Sequence, residues 1–520
     1  MLLPTDVRRW LPDDHLAWFV LDLVERLDIS RIEQRVHDKD PRGTRPYDPR
    51  MMTALLIYAY AVGVFSSRRI ERGTYEDVAM RVLTGDQHPD HDTIATFRRE
   101  NVAEFRDLFV QALRLAAQMG LVTFGVLALD GVKVLANASK HHAMSYDRMK
   151  KDVERLRKEI EQLLVQAERA DTDEQARFGD GSVADIPAEI ARRQDRKARI
   201  EQAMAALEAE AREARLAELR EQAARHEENA ADSELDATAR KRAATLAQQR
   251  QEAVAKLSGA QDTADDDDDS DDPSADMPTH QVPHNVDGTP TDGAQRNFTD
   301  PDSRIMVRDG DHIVAAYNAQ ALVDNAHQIV VAAEVGNQPP DSQYLPPLLD
   351  RADANLAAAG VTRPHATPLA ADAGYFSEAN VTASEQRGYE PYIPPDRTRR
   401  ARPQILVGPS RTATTNTAPT ASATGPPDPH TAPHPATGPP ARPTLKDTMR
   451  AKLKTVEGAR IYGLRKTTPE PVFGQILSVR GFRRFMLRGI EQVRGEWLLV
   501  TMTHNVLKLW RSGEALPALA

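Results

Sequence analysis

The sequence predicts an α/β protein whose core is a mixed β-sheet, preceded by an all-helical N-terminal domain and interrupted by a helical hairpin or coiled coil. Three observations lead to this prediction. Residues 1–118 carry apolar residues at helical spacing. Apolar runs typical of buried strands begin at Val122. Residues 146–260 are rich in Ala, Glu, Arg, Lys and Gln, with a heptad-like seam of apolar residues.

Composition narrows the class of protein. The chain has 520 residues, enough for two to four domains. It has no cysteine, which excludes disulfides, thiolate zinc sites and cysteine nucleophiles and fits a reducing compartment. No apolar stretch approaches the roughly 20 residues of a membrane span, and the N-terminus lacks a signal-peptide pattern. We therefore expect a soluble intracellular protein.

The net charge of −10 is unevenly distributed along the chain. Residues 264–276 are rich in Asp and contain no basic residue, whereas Lys and Arg far outnumber Asp and Glu in residues 441–520. Because the charges are segregated, the acidic total does not exclude a nucleic-acid partner for the basic segment.

Residues 1–118 are predicted to form an N-terminal helical domain for DNA binding or dimerisation. Asp13 and Asp14 precede one amphipathic pattern, and Pro49 stands at the first turn of another. The arginine pair Arg68 and Arg69 is compatible with a DNA-binding or dimerising role. A plain helical bundle whose arginines are solvated is the alternative.

Two further segments interrupt or border the core. Residues 146–260 are predicted to form the inserted coiled coil, and residues 261–295 an acidic disordered linker. An acidic run can also bind metals or mimic DNA, but a solvated tether is the simpler interpretation. Residues 403–443, rich in Thr, Pro and Ala, are predicted to form a second disordered linker.

With these segments removed, residues 119–145, 296–402 and 444–512 form one predicted core. Helical patterns follow the third, fourth and fifth strand patterns, which gives the order strand, strand, strand, helix, strand, helix, strand, helix. This order predicts a mixed sheet of the ribonuclease H type. The strand patterns cover residues 122–130, 312–324, 328–335, 368–372 and 389–394.

Three carboxylates are candidates for a catalytic metal site. Asp130 and Asp372 each close an apolar strand pattern, and Glu470 lies in a predicted helical segment with Tyr462 and Arg465. Functional groups collect at strand ends in open α/β sheets, and a two-metal phosphodiester site needs bridging carboxylates. Either Asp alone is also explained as a helix N-cap, but the combination with the basic helical segment favours the metal site.

These residues lie in motifs that resemble those of the DDE transposases of bacterial insertion sequences. More narrowly, the chain resembles the eleven-eighty-two branch of the group with a Tyr-Arg-Glu-Lys signature. The helical N-terminus also resembles that of the family. The matching segments are 129–141 (LDGVKVLANASKH), 317–321 (YNAQA), 371–376 (ADAGYF), 465–476, 481–489 and 504–509.

The resemblance implies an RNase H-like catalytic core in which Asp130, Asp372 and Glu470 bind two Mg²⁺ ions, with Mn²⁺ as a substitute. Tyr462 and Arg465 resemble the phosphate-contacting residues of the signature. The implied partner is double-stranded DNA, as terminal inverted repeats and as target, bound by a homodimer or larger assembly in the bacterial cytoplasm at the nucleoid. The implied activity is cleavage of DNA at the element ends and joining of the 3′-hydroxyl ends to target DNA.

Further basic residues are candidate DNA contacts. They would neutralise phosphates and make binding salt-dependent, although helix capping or pairing with Glu491 and Glu496 is an alternative. His141 and His142 are predicted to be surface or substrate contacts, because metal ions replace a histidine base in two-metal chemistry. The candidate DNA contacts are Lys133, Arg480, Arg483, Arg484 and Arg488.

The chain also departs from the family pattern. Leu477 stands where the signature has Lys, seven positions after Glu470, and the spacing from Arg465 to Glu470 is one residue longer. The long insertion lies between the first and second acids, whereas many relatives insert after the second. These departures motivate an alternative, a catalytically impaired DNA-binding protein derived from a transposase. A coiled-coil scaffold would explain residues 146–260 alone.

Overall fold

The computed structural model describes residues 6–38, 46–176, 186–233, 235–258, 277, 281–308, 312–396 and 443–517. The Asp-rich run 265–272 and residues 403–442, both predicted to be linkers, lie outside these ranges. Within the described ranges there are eight strands, numbered along the chain. They are β1 (Leu127–Leu135), β2 (Ala143–Ser145), β3 (Gln295–Asn297), β4 (Arg304–Arg308), β5 (His312–Asp324), β6 (Val330–Gly336), β7 (Thr367–Ala370) and β8 (Tyr389–Tyr392).

Six of these strands form the central sheet. Its order is β6-β5-β1-β7-β8, and β4 pairs with the first part of β5 on the same edge as β6. Strand β5 is antiparallel to β1, β4 and β6, whereas β7 is parallel to β1 and β8. Three antiparallel strands followed by two parallel ones are the order expected of an RNase H-like sheet. The predicted α/β fold is therefore confirmed.

The N-terminal region is helical, as predicted. Its helices begin at residues suited to capping: Asp48 accepts hydrogen bonds from the backbone N–H groups of Arg50 and Met51, with Pro49 in the first turn. Their apolar faces share one core with the sheet. The helices are α1 (Leu16–Arg26), α2 (Ser30–His37), α3 (Pro49–Ala61), α4 (Ser67–Glu76), α5 (Val78–Leu83), α6 (His91–Glu100) and α7 (Glu104–Gln118).

The insertion contains three helices where one hairpin was predicted: α8 (Tyr146–Ala176), α9 (Ile186–Ala231) and α10 (Ala237–Ser258). Helix α9 packs against both α8 and α10. The insertion has a small apolar cluster of its own, to which Val282 and Ala294 contribute. The prediction of disorder for residues 261–295 is therefore wrong for residues 281–295, because apolar side chains there pack against α8 and α9.

The remaining helices follow the sheet strands. Helix α16 packs against β6 and against α3 and α7, so it joins the sheet to the N-terminal helices. No helix in the described ranges is long and apolar enough to cross a membrane. The helices are α11 (Leu345–Ala358), α12 (Glu378–Gln386), α13 (Leu445–Lys454), α14 (Val456–Leu464), α15 (Pro469–Gly474) and α16 (Ile490–Ser512).

Candidate active site

Asp130 and Asp372 lie beside each other because their strands are neighbours. Strand β7 runs parallel to β1 with Ala128 opposite Ala370, and each acid follows its alanine by two positions. Asp372 lies two residues beyond the end of β7 and accepts a hydrogen bond from the backbone N–H of Gly374 at 2.7 Å. Asp130, in contrast, lies in the middle of β1, paired with Ala321 of β5. The prediction that Asp130 ends its strand is therefore wrong, since β1 continues to Leu135.

Glu470 lies in the same region and is linked to Asp130 through Arg465. Helix α15, which carries Glu470, packs against β1 and β5. The guanidinium of Arg465 places Nη1 3.3 Å from Oδ2 of Asp130 and Nη2 3.6 Å from Oε1 of Glu470. Arg465 is largely buried, with 16% of its side chain exposed, and its Nε has no hydrogen-bond partner in the described part of the chain. One arginine thus connects two carboxylates that are 340 positions apart (470 − 130).

The electrostatics of Asp130 reflect its crowded position. Burial raises the pKa of Asp130 to about 6, although Arg465 and the backbone N–H of Gly131 act in the opposite direction. Asp372 and Asp341 raise it further by repulsion. Burial acts to lower the pKa of Arg465, but Asp130 and other neighbours, among them Tyr462, raise it above its ordinary value. The cluster therefore concentrates negative charge around a single guanidinium.

Asp341 is a fourth carboxylate of this cluster that the sequence analysis missed. Its Oδ1 accepts hydrogen bonds from Lys133 Nζ at 2.9 Å, Asn318 Nδ2 at 2.8 Å and Gln320 Nε2 at 3.1 Å. It lies in the turn between β6 and α11, after two prolines, and is separated from the other acids in sequence. It lies five positions after Gly336, the last residue of β6 (341 − 336), so its place along the chain offered no clear signal of this role.

A buried hydrogen-bond network joins Asp341 to the turn that carries Asp372. The hydroxyl of Tyr375 donates to Oε1 of Gln320, whose amide nitrogen donates to Asp341. Burial raises the pKa of Tyr375 well above its ordinary value, and the negative charges of Asp341, Asp130 and Asp372 act in the same direction. The tyrosine hydroxyl therefore stays protonated and serves as a fixed donor.

The described residues contain no group of three or more His, Asp or Glu side chains arranged to hold a metal ion. Arg465, located between Asp130 and Glu470, supplies the positive charge in this arrangement. The donor chemistry nevertheless fits a divalent cation, because Mg²⁺ prefers carboxylate oxygens and Asp372 and Asp341 lie close enough to Asp130 for their charges to repel.

Two of the predicted DNA contacts are in positions that do not suit that role. Lys133 is 18% exposed and its ammonium pairs with Asp341. Arg480 is buried, and its guanidinium donates to Thr503 Oγ1 at 2.8 Å and to the carbonyl of Val500 at 3.1 Å. Both predictions are corrected: Lys133 stabilises the acid cluster, and Arg480 anchors the chain to α16.

The other predicted contacts remain accessible. Arg483, Arg484 and Arg488 are exposed beside the end of β1, where Leu135 forms a bridge with Arg484. Tyr462 is half-buried in α14. His141 and His142 are exposed, and Nδ1 of His142 lies 2.6 Å from Oγ1 of Thr299.

Leu477, which replaces the signature Lys, lies in a π-helical turn that spans Gln475–Val479. Its side chain packs against the main hydrophobic core. A π-helical turn widens the helix by one residue and is frequent at functional sites. The apolar side chain fits this environment, so Leu477 has a packing role in this chain.

Comparison with known families adds an independent observation. Residues 5–100 match a family described as "Transposase domain (DUF772)", and residues 437–510 match a family described as "Transposase DDE domain". The second match contains Tyr462, Arg465 and Glu470. No curated protein and no solved structure matched the chain.

Proposed function

We propose that this chain cuts DNA at the ends of its element and joins those ends to target DNA. The premise is that the two matched domains make the chain a bacterial insertion-sequence DDE transposase. Asp130, Asp372 and Glu470 are the proposed catalytic and metal-binding residues. Membership of the eleven-eighty-two branch is part of the same proposal.

One observation carries the proposal. Arg465 contacts Asp130 and Glu470 simultaneously, so the basic helical segment and the central strand meet at the point where Asp372 also emerges. An ion pair with a purely structural role would need a single acid to balance the charge of the arginine. Three further carboxylates near Asp130 and a largely buried cation are more typical of a site for a phosphate ester and a divalent ion.

The proposed reaction has two displacements at phosphorus. In the first, the oxygen of water forms a bond to the phosphorus at the element end, and the P–O3′ bond breaks to release a 3′-hydroxyl. In the second, this hydroxyl attacks a target phosphorus in line and expels a target 3′-oxygen, which takes up a proton. When bound, two Mg²⁺ ions, or Mn²⁺ in their place, supply the Lewis acidity that activates the attacking oxygen and stabilises the leaving oxygen.

The chain's own residues orient the scissile phosphate. Arg465 has a fork of N–H donors that suits a phosphate better than a point charge does. Tyr462 lies close enough to influence the pKa of Arg465 and is the proposed second phosphate contact. The exposed Arg483, Arg484 and Arg488 would neutralise the DNA backbone beyond the cleavage point.

The experiment uses the DNA that flanks the gene on both sides, joined to a labelled reporter. Asp130→Asn, Asp372→Asn and Glu470→Gln are each expected to abolish cleavage with Mg²⁺ or Mn²⁺ while leaving DNA binding largely intact. Asp353→Asn, in an ion pair with Arg363, is the matched control. Cleavage at the wild-type rate by any of the first three variants would remove that residue from the site.

The second candidate function is DNA binding without catalysis. Leu477 in place of the signature Lys and Arg465 between two of the acids favour it. A gel shift beside a cleavage assay at equal protein concentration separates the two functions. Binding without nicking in either metal would establish the second. In both cases the proposed setting is the bacterial cytoplasm, at the nucleoid, with a homodimer or larger assembly on double-stranded DNA.

A further inference from the structure

A cavity of about 520 Å³ lies where the inserted helices meet the core. Its walls come from the segment after β1, from the start of α8, from α9 and from the region around β3. Four arginines and two histidines line it, and none of the described residues that line it is acidic. The basic residues are His141, His142, Arg148, Arg196, Arg199 and Arg296.

Two of these arginines have no counter-ion among the residues that the structure describes. Arg148 and Arg199 are exposed, and neither forms an ion pair or hydrogen bond with a described residue. Arg296 pairs with Glu210, and Arg196 lies 3.7 Å from Asp152. In a chain of net charge −10, a concave surface with unpaired guanidinium groups and no acid concentrates positive potential where an anion can enter.

Basic residues contact the segment of chain that runs from the candidate active site to the cavity. Arg484 bridges Leu135 at the end of β1, and Nε of Arg488 donates to the carbonyl of Asn137 at 3.0 Å. His141 follows Asp130 by eleven residues (141 − 130), so the cavity rim lies at most about 40 Å away. A DNA duplex covers that distance with about twelve base pairs.

We propose that this cavity binds the phosphodiester backbone of the DNA duplex on which the active site acts, with Arg148 and Arg199 as the phosphate contacts. This proposal rests on the proposed function and extends it, because it gives the inserted helices a role in holding the DNA away from the cleavage point. The exposed guanidinium groups lose little hydration when they meet a phosphate and release counterions from the DNA, which drives binding.

The test measures binding of a fluorescein-labelled 30-base-pair duplex of random sequence to the full chain by anisotropy, over a range of salt concentrations. Arg148→Ala/Arg199→Ala is expected to weaken binding about tenfold near physiological salt and to reduce the slope of log K against log salt by about two, one per lost phosphate contact. Arg148→Lys/Arg199→Lys should retain most of the affinity, because each lysine keeps the charge.

The matched control is Arg192→Ala/Arg225→Ala, which removes the same charge from exposed positions of α9 outside the cavity. Equal affinity and equal salt slope for Arg148→Ala/Arg199→Ala and for this control would overturn the proposal. Arg148→Gln/Arg199→Gln provides a second test should the alanine variant melt early. If the chain binds DNA through these arginines but does not cut it, the proposed function is wrong and this inference still holds.

Discussion

The ammonium of Lys133 lies 2.9 Å from Oδ1 of Asp341 and joins strand β1 to the turn after β6, beside Asp130. The same oxygen accepts hydrogen bonds from Asn318 and Gln320 of β5. These donors occupy one carboxylate oxygen, while Oδ2 is the atom closer to the Gly374 turn. Asp341 therefore connects the strand that carries Asp130 with the turn that carries Asp372, which is a positioning role.

Asp341→Asn tests this role. The amide has nearly the same shape, but it loses the charge that pairs with Lys133, so the strand and the turn are held less firmly. We expect the rate of the cleavage step to fall roughly 10- to 100-fold, as is common when a group that orients metal ligands is removed. The affinity for DNA should change little. Single-turnover cleavage and anisotropy measure the two quantities separately.

The control for Asp341→Asn is Asp350→Asn, which breaks a more exposed ion pair with Arg387. Solvent-exposed ion pairs contribute little, so cleavage by this variant should match the wild type. Equal cleavage rates for Asp341→Asn and Asp350→Asn would show that Asp341 has no positioning role.

Arg465→Ala should change metal binding and cleavage in opposite directions. The guanidinium competes with a cation for oxygens of Asp130 and Glu470, so its removal is expected to tighten Mn²⁺ binding several-fold. Cleavage should fall by at least about 100-fold, because the phosphate loses a bidentate donor. Calorimetry of Mn²⁺ binding without DNA gives the first result, and a cleavage assay the second.

Arg460→Ala is the matched control, since Arg460 pairs with Glu457 on the exposed face of the neighbouring helix α14. Neither metal affinity nor cleavage should change in this variant. Unaltered or weaker Mn²⁺ binding in Arg465→Ala would mean that Arg465 does not compete with the cation.

Gly131→Ala should destabilise the sheet at the active site. A Cβ at this position would lie 2.3 Å from Nε2 of Gln320, whose amide is fixed by Asp341 and Tyr375. We expect a loss of about 1–3 kcal/mol in the free energy of unfolding, as in other overpacked cores. Gly463→Ala, in helix α14 with no atom within 4 Å of the added carbon, should be neutral or slightly stabilising. Urea denaturation of both variants compares them, and equal stability would contradict the steric argument.

The sheet could be predicted from sequence where burial controls the pattern. Strand β5 has the predicted bounds, because its residues from Ala315 onward are buried on both faces and most of them are apolar. The same reasoning failed at Asp130. Gly131 and Lys133 interrupt the apolar pattern and resemble a turn, yet Gln320 fills the space above Gly131 and Asp341 neutralises Lys133. Only tertiary contacts reveal that the strand continues.

Only those members of the candidate site that lie in recognisable sequence motifs could be predicted. Asp130, Asp372 and Glu470 lie in sequence motifs, whereas Asp341 follows two prolines and is recognised only by the side chains that converge on it. Arg480 shows the opposite error. It is basic and lies in a basic segment, but its neighbours Ile476 and Phe482 are buried and carry it inside. A charged residue in a basic segment can be predicted to lie on the surface only when the spacing of its apolar neighbours places its side chain outward.

The buried His504 predicts an acid-sensitive contribution to stability. Burial, reinforced by nearby Arg480, lowers the pKa of His504 to about 3, and its Nε2 lies 3.0 Å from the carbonyl of Gln328. The histidine is neutral in the folded chain but takes up a proton near its ordinary pKa of 6.5 when the chain unfolds. Its contribution to stability is therefore complete above about pH 6.5 and declines as the pH falls towards about 3.

Between about pH 7.5 and pH 5, this group should lower the free energy of unfolding by about 2 kcal/mol. His504→Gln keeps an N–H donor for Gln328 but cannot be protonated, so its stability should decline less over this interval by about the same amount. Urea denaturation of both proteins at the two pH values measures the difference. His312→Gln, at an exposed position, should follow the wild type, and parallel declines for all three proteins would show that His504 is not the titrating group.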